Sequence, residues 1–405
     1  MLMFKVAFRN VLRQKRRTLL TVLTMMVGFA LAAISIAWSD GSYNVIIDMF
    51  TRNQLGHIQI HGEGYLDRPT LYNTVNNYEE VGEKIGAVEG VEAWTPRIFS
   101  AGLASASDKS AGVRIIGIDP NRENTATRFD KKITRGQTFS EDGYHEVILG
   151  EGLAEVLKAD IGDEVVVVSQ GADGSIANDL YTLVGLVDAG DPMTNQTAFY
   201  LTLDDAQELL VLYGRVHEVA VVVDELDDVE LYAEVLTTTI DGSSLVAEPW
   251  QIFAAEFYKA MKADQQGTWI MLFIIVLVVA IGVLNTVLMT VLERTREYGV
   301  LRAMGVRPLQ VIRLVIYEVM LMAVVSLVLG FLVSLPVNYW LSIDGINMGT
   351  TFTYGGMEFS TLYTEINTRS FVIPAITVFF SAIMVSFFPA VKAARTAPAR
   401  AMRTH

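Results

Sequence analysis

Long apolar runs alternate with polar stretches along the chain, and the period of the apolar positions changes from one stretch to the next. Residues 4–16 set Phe4, Ala7, Phe8 and Val11 on one helical face and Lys5, Arg9, Arg13 and Arg16 on another. That pattern predicts a basic amphipathic helix lying in a headgroup layer. Residues 18–38 carry no charge and are long enough to cross about 30 Å of hydrocarbon. The run ends at the interface residue Trp38, whereas a cleaved signal peptide would end in small residues, so a retained span is predicted. Three more spans are predicted at 267–292, 309–341 and 370–391.

Beyond Asp40 the chain turns polar but keeps a helical stripe of Val45, Ile46, Met49 and Phe50, mirrored before the second span by Phe253, Phe257 and Met261. These predict two stalk helices within 39–266 that continue the first two spans outward. Between them, about 55–248, lies an α+β domain. It opens on the alternating His57-Ile58-Gln59-Ile60-His61, and within a central lobe of about 119–203 the stretch 146–202 reads as β-hairpins turning at Gly162-Asp163 and Asp173-Gly174.

Composition adds the orientation. The chain has 405 residues, 51% of them hydrophobic and 19% charged, with a net charge of −14. Residues 1–17, 293–313 and 392–405 carry 6, 5 and 4 Lys/Arg, while the segment between the first two spans holds 15 basic and 39 acidic residues. Basic flanks belong in the cytoplasm. Both termini and 293–308 are therefore expected inside, with the acidic domain and the 342–369 loop outside. The absence of cysteine excludes disulfides, thiolate catalysis and zinc-cysteine sites.

The stretch 293–308, ERTREYGVLRAMGVRP, reads as a short polar helix between two spans. Glu293 is spaced to pair with Arg296 and Glu297 with Arg294, Tyr298, Leu301 and Met304 make an apolar stripe, and Gly305 and Pro308 mark its end. It also reads as a solvated surface loop placed by its arginines. Glu318 is an acid within the third span, where a carboxylate is costly and calls for a partner or an exit to the interface. Gly330 and Pro336 are placed to let that helix bend. No G-x-x-x-x-G-K-[ST] occurs, so no phosphate-cradling loop, no catalytic residue and no cofactor are expected in this chain. His57 and His61 lack a third ligand, so no metal is expected there, and the basic patches lie only at membrane flanks, which argues against nucleic acid.

Glu293, Arg294, Arg296, Glu297, Gly299, Leu301, Arg302, Ala303 and Gly305 match a motif that resembles the coupling helix of ABC transporter permeases of the lipoprotein-releasing and macrolide-exporter type. Residues 10–21, 117–120, 148–154, 161–165 and 387–403 are similar to other parts of the same family. The resemblance implies an α-helical membrane protein of four transmembrane helices, with a large extracytoplasmic α+β domain inserted between the first and second. With the bounds read above, the layout is a cytoplasmic amphipathic helix at 1–17, spans at 18–38, 267–292, 309–341 and 370–391, an extracytoplasmic loop at 342–369 and a cytoplasmic tail at 392–405; the resemblance makes 293–308 a cytoplasmic coupling helix and implies a bacterial inner membrane with the large domain in the periplasm. It implies two copies of a separate cytoplasmic ATPase that hold ATP and Mg, a second permease chain, same or related, contact with membrane lipids, and a periplasmic carrier or adaptor. Stalk-transmitted motion would then extract or export cargo. Lipoproteins are the favoured cargo, with Met348, Phe352, Met357 and Phe359 in the outer loop as contacts for acyl chains. The alternatives are a peptide or drug exporter, and a signal transmitter that switches a periplasmic hydrolase without transporting anything.

Overall fold

The computed structural model describes residues 2–140, 143–240, 244–354 and 357–395, in two units. The first comprises Met1–Val45, Ala260–Thr350 and Ser360–His405, and the second Ile46–Lys259 and Thr351–Phe359. Six helices, numbered here α1–α6, account for most of the first unit. They are α1 (Leu2–Arg13), α2 (Lys15–Phe50), α3 (Ala255–Glu293), α4 (Thr295–Ala303), α5 (Pro308–Asp344) and α6 (Thr368–Ala394). Among the described residues α2, α3, α5 and α6 are long and apolar enough to cross a membrane.

Span and stalk are a single helix in both cases. The 36 residues of α2 and 39 of α3, at about 1.5 Å per residue, exceed the thickness of hydrocarbon by roughly 20 Å or more. Gly41 does not break α2; a Cβ there would lie 2.6 Å from the backbone of Thr364 and Glu365, and the Glu365 N–H donates to the Ala37 carbonyl at 2.9 Å. Phe253, expected on the second stalk stripe, falls instead in a one-turn helix, Trp250–Phe253, that ends at Ala254 before α3 begins. Pro336 is carried inside α5, and Gly330 serves packing: a Cβ there would meet the Phe29 ring at 2.6 Å.

Small residues set the spacing of these helices. A Cβ on Gly28 of α2 would lie 2.0 Å from Val279 of α3, and one on Gly282 of α3 would lie 2.7 Å from Thr24. Close backbone approach of this kind is how helices gain packing where lipid removes the hydrophobic drive. Met25, Phe29, Val283, Val319 and Val378 fill the core behind the seam. The outer faces carry Phe273, Val278 and Leu332 at 60% exposure or more, which suits hydrocarbon and not water.

The second unit is built on strands β1 (Ile58–Gly62), β2 (Val91–Ala106), β3 (Lys109–Ile118), β4 (Ile133–Gly136), β5 (Glu146–Gly150), β6 (Glu164–Gln170), β7 (Ile176–Val187), β8 (Ala198–Thr202), β9 (Glu218–Val223) and β10 (Leu245–Pro249). They join one sheet in the order β10-β1-β9-β2-β3-β8-β5-β7-β4, with β6 pairing β2 and β7. Of the hairpins expected in 119–203, β6–β7 forms, turning through Gly174 at φ +85°. β5 runs instead into the helix Glu151–Leu157, pairing in parallel with β7 and antiparallel with β8, and Gly162, at φ +95°, leads from that helix to β6. The segment does not close into a sheet of its own, because β8 pairs in parallel with β3. At the stalk ends within this unit, Phe50 stacks on Phe257 with ring centroids 3.9 Å apart.

The outer loop forms a two-stranded sheet of β11 (Ile346–Tyr354) and β12 (Met357–Leu362). The backbones of Met348, Phe352, Met357 and Phe359 lie in these strands, and their side chains lie outside the described residues, as does the tail from 396 on.

Candidate functional site

The chain leaves α3 at Glu293, makes a single break at Arg294 and re-enters helix at Thr295. Thr295 Oγ1 donates to the Leu292 carbonyl at 2.7 Å, and Arg294 Nε donates to Glu297 Oε2 at 2.8 Å, the i,i+3 pair expected from the spacing. At the other end Gly305, at φ +93°, stops α4, while Arg302 Nη1 donates to the Val306 carbonyl at 3.1 Å. Half of the Arg302 fork therefore closes the turn after its own helix.

Arg294 also turns inward. Its Nη1 donates to Glu318 of α5 at 3.0 and 3.3 Å, and Asn10 Nδ2 of α1 donates to the same carboxylate at 2.6 Å. Arg294 is 9% exposed and Glu318 6%. One carboxylate thus ties together the amphipathic helix, the start of α4 and the third span. A buried charge persists only when paired and hydrogen-bonded, and Glu318 has both kinds of partner. Tyr298, fully buried, lies beneath, its ring 5.5 Å from the Arg294 guanidinium carbon. Burial and the Glu318 charge push its phenol above the ordinary range.

Glu293 departs from expectation: it pairs with Arg17 of α2, and not with Arg296. Arg296 is exposed and has no ion-pair partner among the described residues. The predicted apolar stripe is split, with Tyr298 buried, Leu301 half-buried and Met304 69% exposed. Gly299 is buried at the inner face. A cleft of about 450 Å³ opens between α1 and α4, bounded by Val6, Asn10, Arg296, Val300 and Leu301. One face of the short helix is tied to α5 through Arg294 and Glu318, and the other presents Arg296, Val300 and Met304 as exposed cationic and apolar side chains.

Sequence reasoning missed the Asn10–Glu318–Arg294 link. The signal was an acid inside an apolar run, which demanded partners without naming them. His57 and His61 are both 1% exposed; His57 Nδ1 accepts the Val223 N–H at 3.1 Å and His61 bonds Gln59 at 3.2 Å. Burial lowers both to about 4. Among the described residues no cluster of three or more metal-ligating side chains occurs.

Four membrane helices with a sheet domain inserted after the first define an α-helical membrane protein of the permease class. Residues 18–239 match the MacB-like periplasmic core domain, and residues 269–398 match the FtsX-like permease C-terminal region. The chain belongs to the family of ABC transporter permeases, of LolC and MacB type, that join these two parts. Among its relatives is the lipoprotein-releasing system transmembrane protein LolC of Neisseria meningitidis serogroup B, 24% identical over 372 residues, covering 87% of this chain and 86% of that one. The macrolide export ATP-binding/permease protein MacB of Campylobacter jejuni is 23% identical over 415 residues, covering 98% of this chain and 61% of that longer protein. The crystal structure of the periplasmic region of MacB from Actinobacillus actinomycetemcomitans aligns with 50% of this chain and 92% of that one, at 14% identity and a TM-score of 0.37.

Proposed function

We propose that the chain is the membrane subunit of an ATP-driven machine for hydrophobic cargo, with α4 as the element that docks on a separate cytoplasmic ATPase. The observation that carries this is the two-sided character of α4. One side is fixed by Arg294 on Glu318, and the other offers Arg296, Val300 and Met304 outward. A merely solvated loop has no need of a buried ion pair beneath it, and the pair supplies the stiffness that a push from a partner requires. The basic flanks support termini and α4 on the cytoplasmic side. ATP and Mg then belong to two ATPase copies, and a second permease chain completes the assembly.

Lipoprotein release is the cargo reading we favour, supported by the relative named for that system and its 86% coverage. The β11–β12 loop, with Met348, Phe352, Met357 and Phe359, is the place where acyl chains would be gripped. Macrolide export is the second reading, supported by the match that runs over 98% of this chain.

The test co-expresses the chain with its genomic ATPase and measures co-purification and stimulated hydrolysis. Arg296→Glu is expected to reduce co-purification and stimulation at least tenfold while the solubilised chain keeps its melting temperature. A complex and turnover both unchanged by Arg296→Glu would overturn the docking role. For cargo, proteoliposomes holding the complex and a fluorescent triacylated lipoprotein are expected to release it only with ATP. ATP-driven erythromycin transport without lipoprotein release would instead establish the second reading.

A further inference from the structure

A second charged cluster lies in the sheet unit. Arg97 of β2 donates through Nε and Nη2 to Glu123 at 3.2 and 2.7 Å and through Nη1 to Glu218 of β9 at 3.0 Å. Glu123 also accepts from Thr95 at 2.8 Å and Thr127 at 2.7 Å. Arg97, Glu123 and Glu218 are each 5% exposed or less. This network is internally satisfied, yet it does not fill its space. Beside it is a partly solvent-open cavity of about 130 Å³, room for about four water-sized volumes, with Arg114 exposed at its wall.

The cavity wall adds Lys132, Arg114 of β3 and Tyr200 of β8 to the three network residues. Three cations then face two carboxylates. Arg114 lies over the Phe99 ring at 4.6 Å, and among the described residues it has neither an ion-pair nor a hydrogen-bond partner. Stacking holds the guanidinium plane but leaves its fork of N–H donors open, the arrangement that suits bidentate recognition of an oxyanion. The Tyr200 hydroxyl likewise has no hydrogen-bond partner among the described residues. Burial pushes its phenol up to about 12, so it stays a donor at neutral pH. Burial also raises the Glu218 carboxyl against the pull of Arg97. A cation would add to that excess, and an apolar ligand would strand the donors.

We propose that this cavity is a binding site for a small singly charged oxyanion, held by the Arg114 fork and the Tyr200 hydroxyl and balanced by Lys132. The inference is independent of the cargo and of the docking role of α4. The test uses the full chain in detergent at low chloride, titrated calorimetrically with acetate and, separately, with inorganic phosphate near pH 6, where phosphate is mostly the monoanion. Saturable binding of either is expected, weakened roughly tenfold or more in Arg114→Gln and less steeply in Tyr200→Phe. Lys109→Gln, at the far end of β3, is the control and should bind as the unaltered chain does. Tyr200→Phe removes one oxygen and keeps the ring, so it reports even where the charge-removing variant fails to fold. Absence of saturable binding by the unaltered chain with both anions would overturn the proposal. Binding by both Arg114→Gln and Tyr200→Phe as tight as that of the unaltered chain would do so too.

Discussion

Removing Glu318 should cost more than removing Glu318 and Arg294 together. Glu318→Leu deletes the acceptor of three hydrogen bonds, from Arg294 at 3.0 and 3.3 Å and from Asn10 at 2.6 Å, and leaves a guanidinium 9% exposed beside α5. Breaking a buried pair from one side costs about 3–5 kcal/mol, because the remaining charge is stranded, whereas replacing both partners with apolar side chains is often close to neutral. Arg294 keeps one consolation, Glu297 at 2.8 Å, but that carboxylate is half exposed and screened, worth about 1 kcal/mol or less. The single variant is therefore expected to lose about 2–4 kcal/mol and Glu318→Leu/Arg294→Met under about 2 kcal/mol. The readout is reversible unfolding of the solubilised chain in graded denaturing detergent, compared as a double-mutant cycle. Costs that simply add, with the double variant the least stable of the set, would refute the argument that the pair is a single buried unit.

Other expectations follow from packing and titration. Gly28→Val should destabilise the helix bundle by about 1–3 kcal/mol, since a Cβ there already lies 2.0 Å from Val279; an unchanged melting temperature would show the seam to be looser than described. Gly82→Ala, whose Cβ would sit 2.2 Å from the Trp94 ring, should cost a similar amount in the sheet unit and shift Trp94 fluorescence. His57, His61 and His217 are each lowered to about 4 by burial. The unfolded chain binds their protons near pH 6.5 and the folded unit refuses them, so stability present above about 6.5 is lost as pH falls toward 4. Asp48, Asp205, Glu218 and Glu248, each raised by burial from the ordinary carboxylate range, act in the opposite direction, whereas the histidines act from about pH 6.5 downward. Thermal unfolding followed by Trp94 and Trp250 fluorescence should move to lower temperature between about pH 7 and 5, and a rise over that range would contradict the sign.

What could be read from the sequence was what repeats locally. Apolar runs marked the four spans, and the 293–308 spacing gave a helix with its Arg294–Glu297 pair. Partners distant in the chain stayed hidden. Glu293 found Arg17 instead of its neighbour Arg296, and Glu318 drew on residues 24 and 308 positions away. The same limit applies to the sheet: short apolar runs rich in β-formers mark β5 and β8 as strands, but do not show that β5 lies parallel to β7 or β8 to β3. Hairpins were expected because sequence neighbours usually pair, and the helix Glu151–Leu157 between β5 and β6 removed one of them.

The order in which the chain is made gives the Glu318 junction a further meaning. An acid at the centre of an isolated apolar helix disfavours its insertion by about 2.5–3.5 kcal/mol, and Glu318, ten residues past the start of the 37-residue α5, carries a share of that cost. Asn10 leaves the ribosome 308 residues earlier than Glu318, and Arg294 24 residues earlier. Both donors are therefore already synthesised, on segments that precede α5, when the acid emerges. The third span need not enter lipid alone, because the groups that make its carboxylate tolerable are made before it.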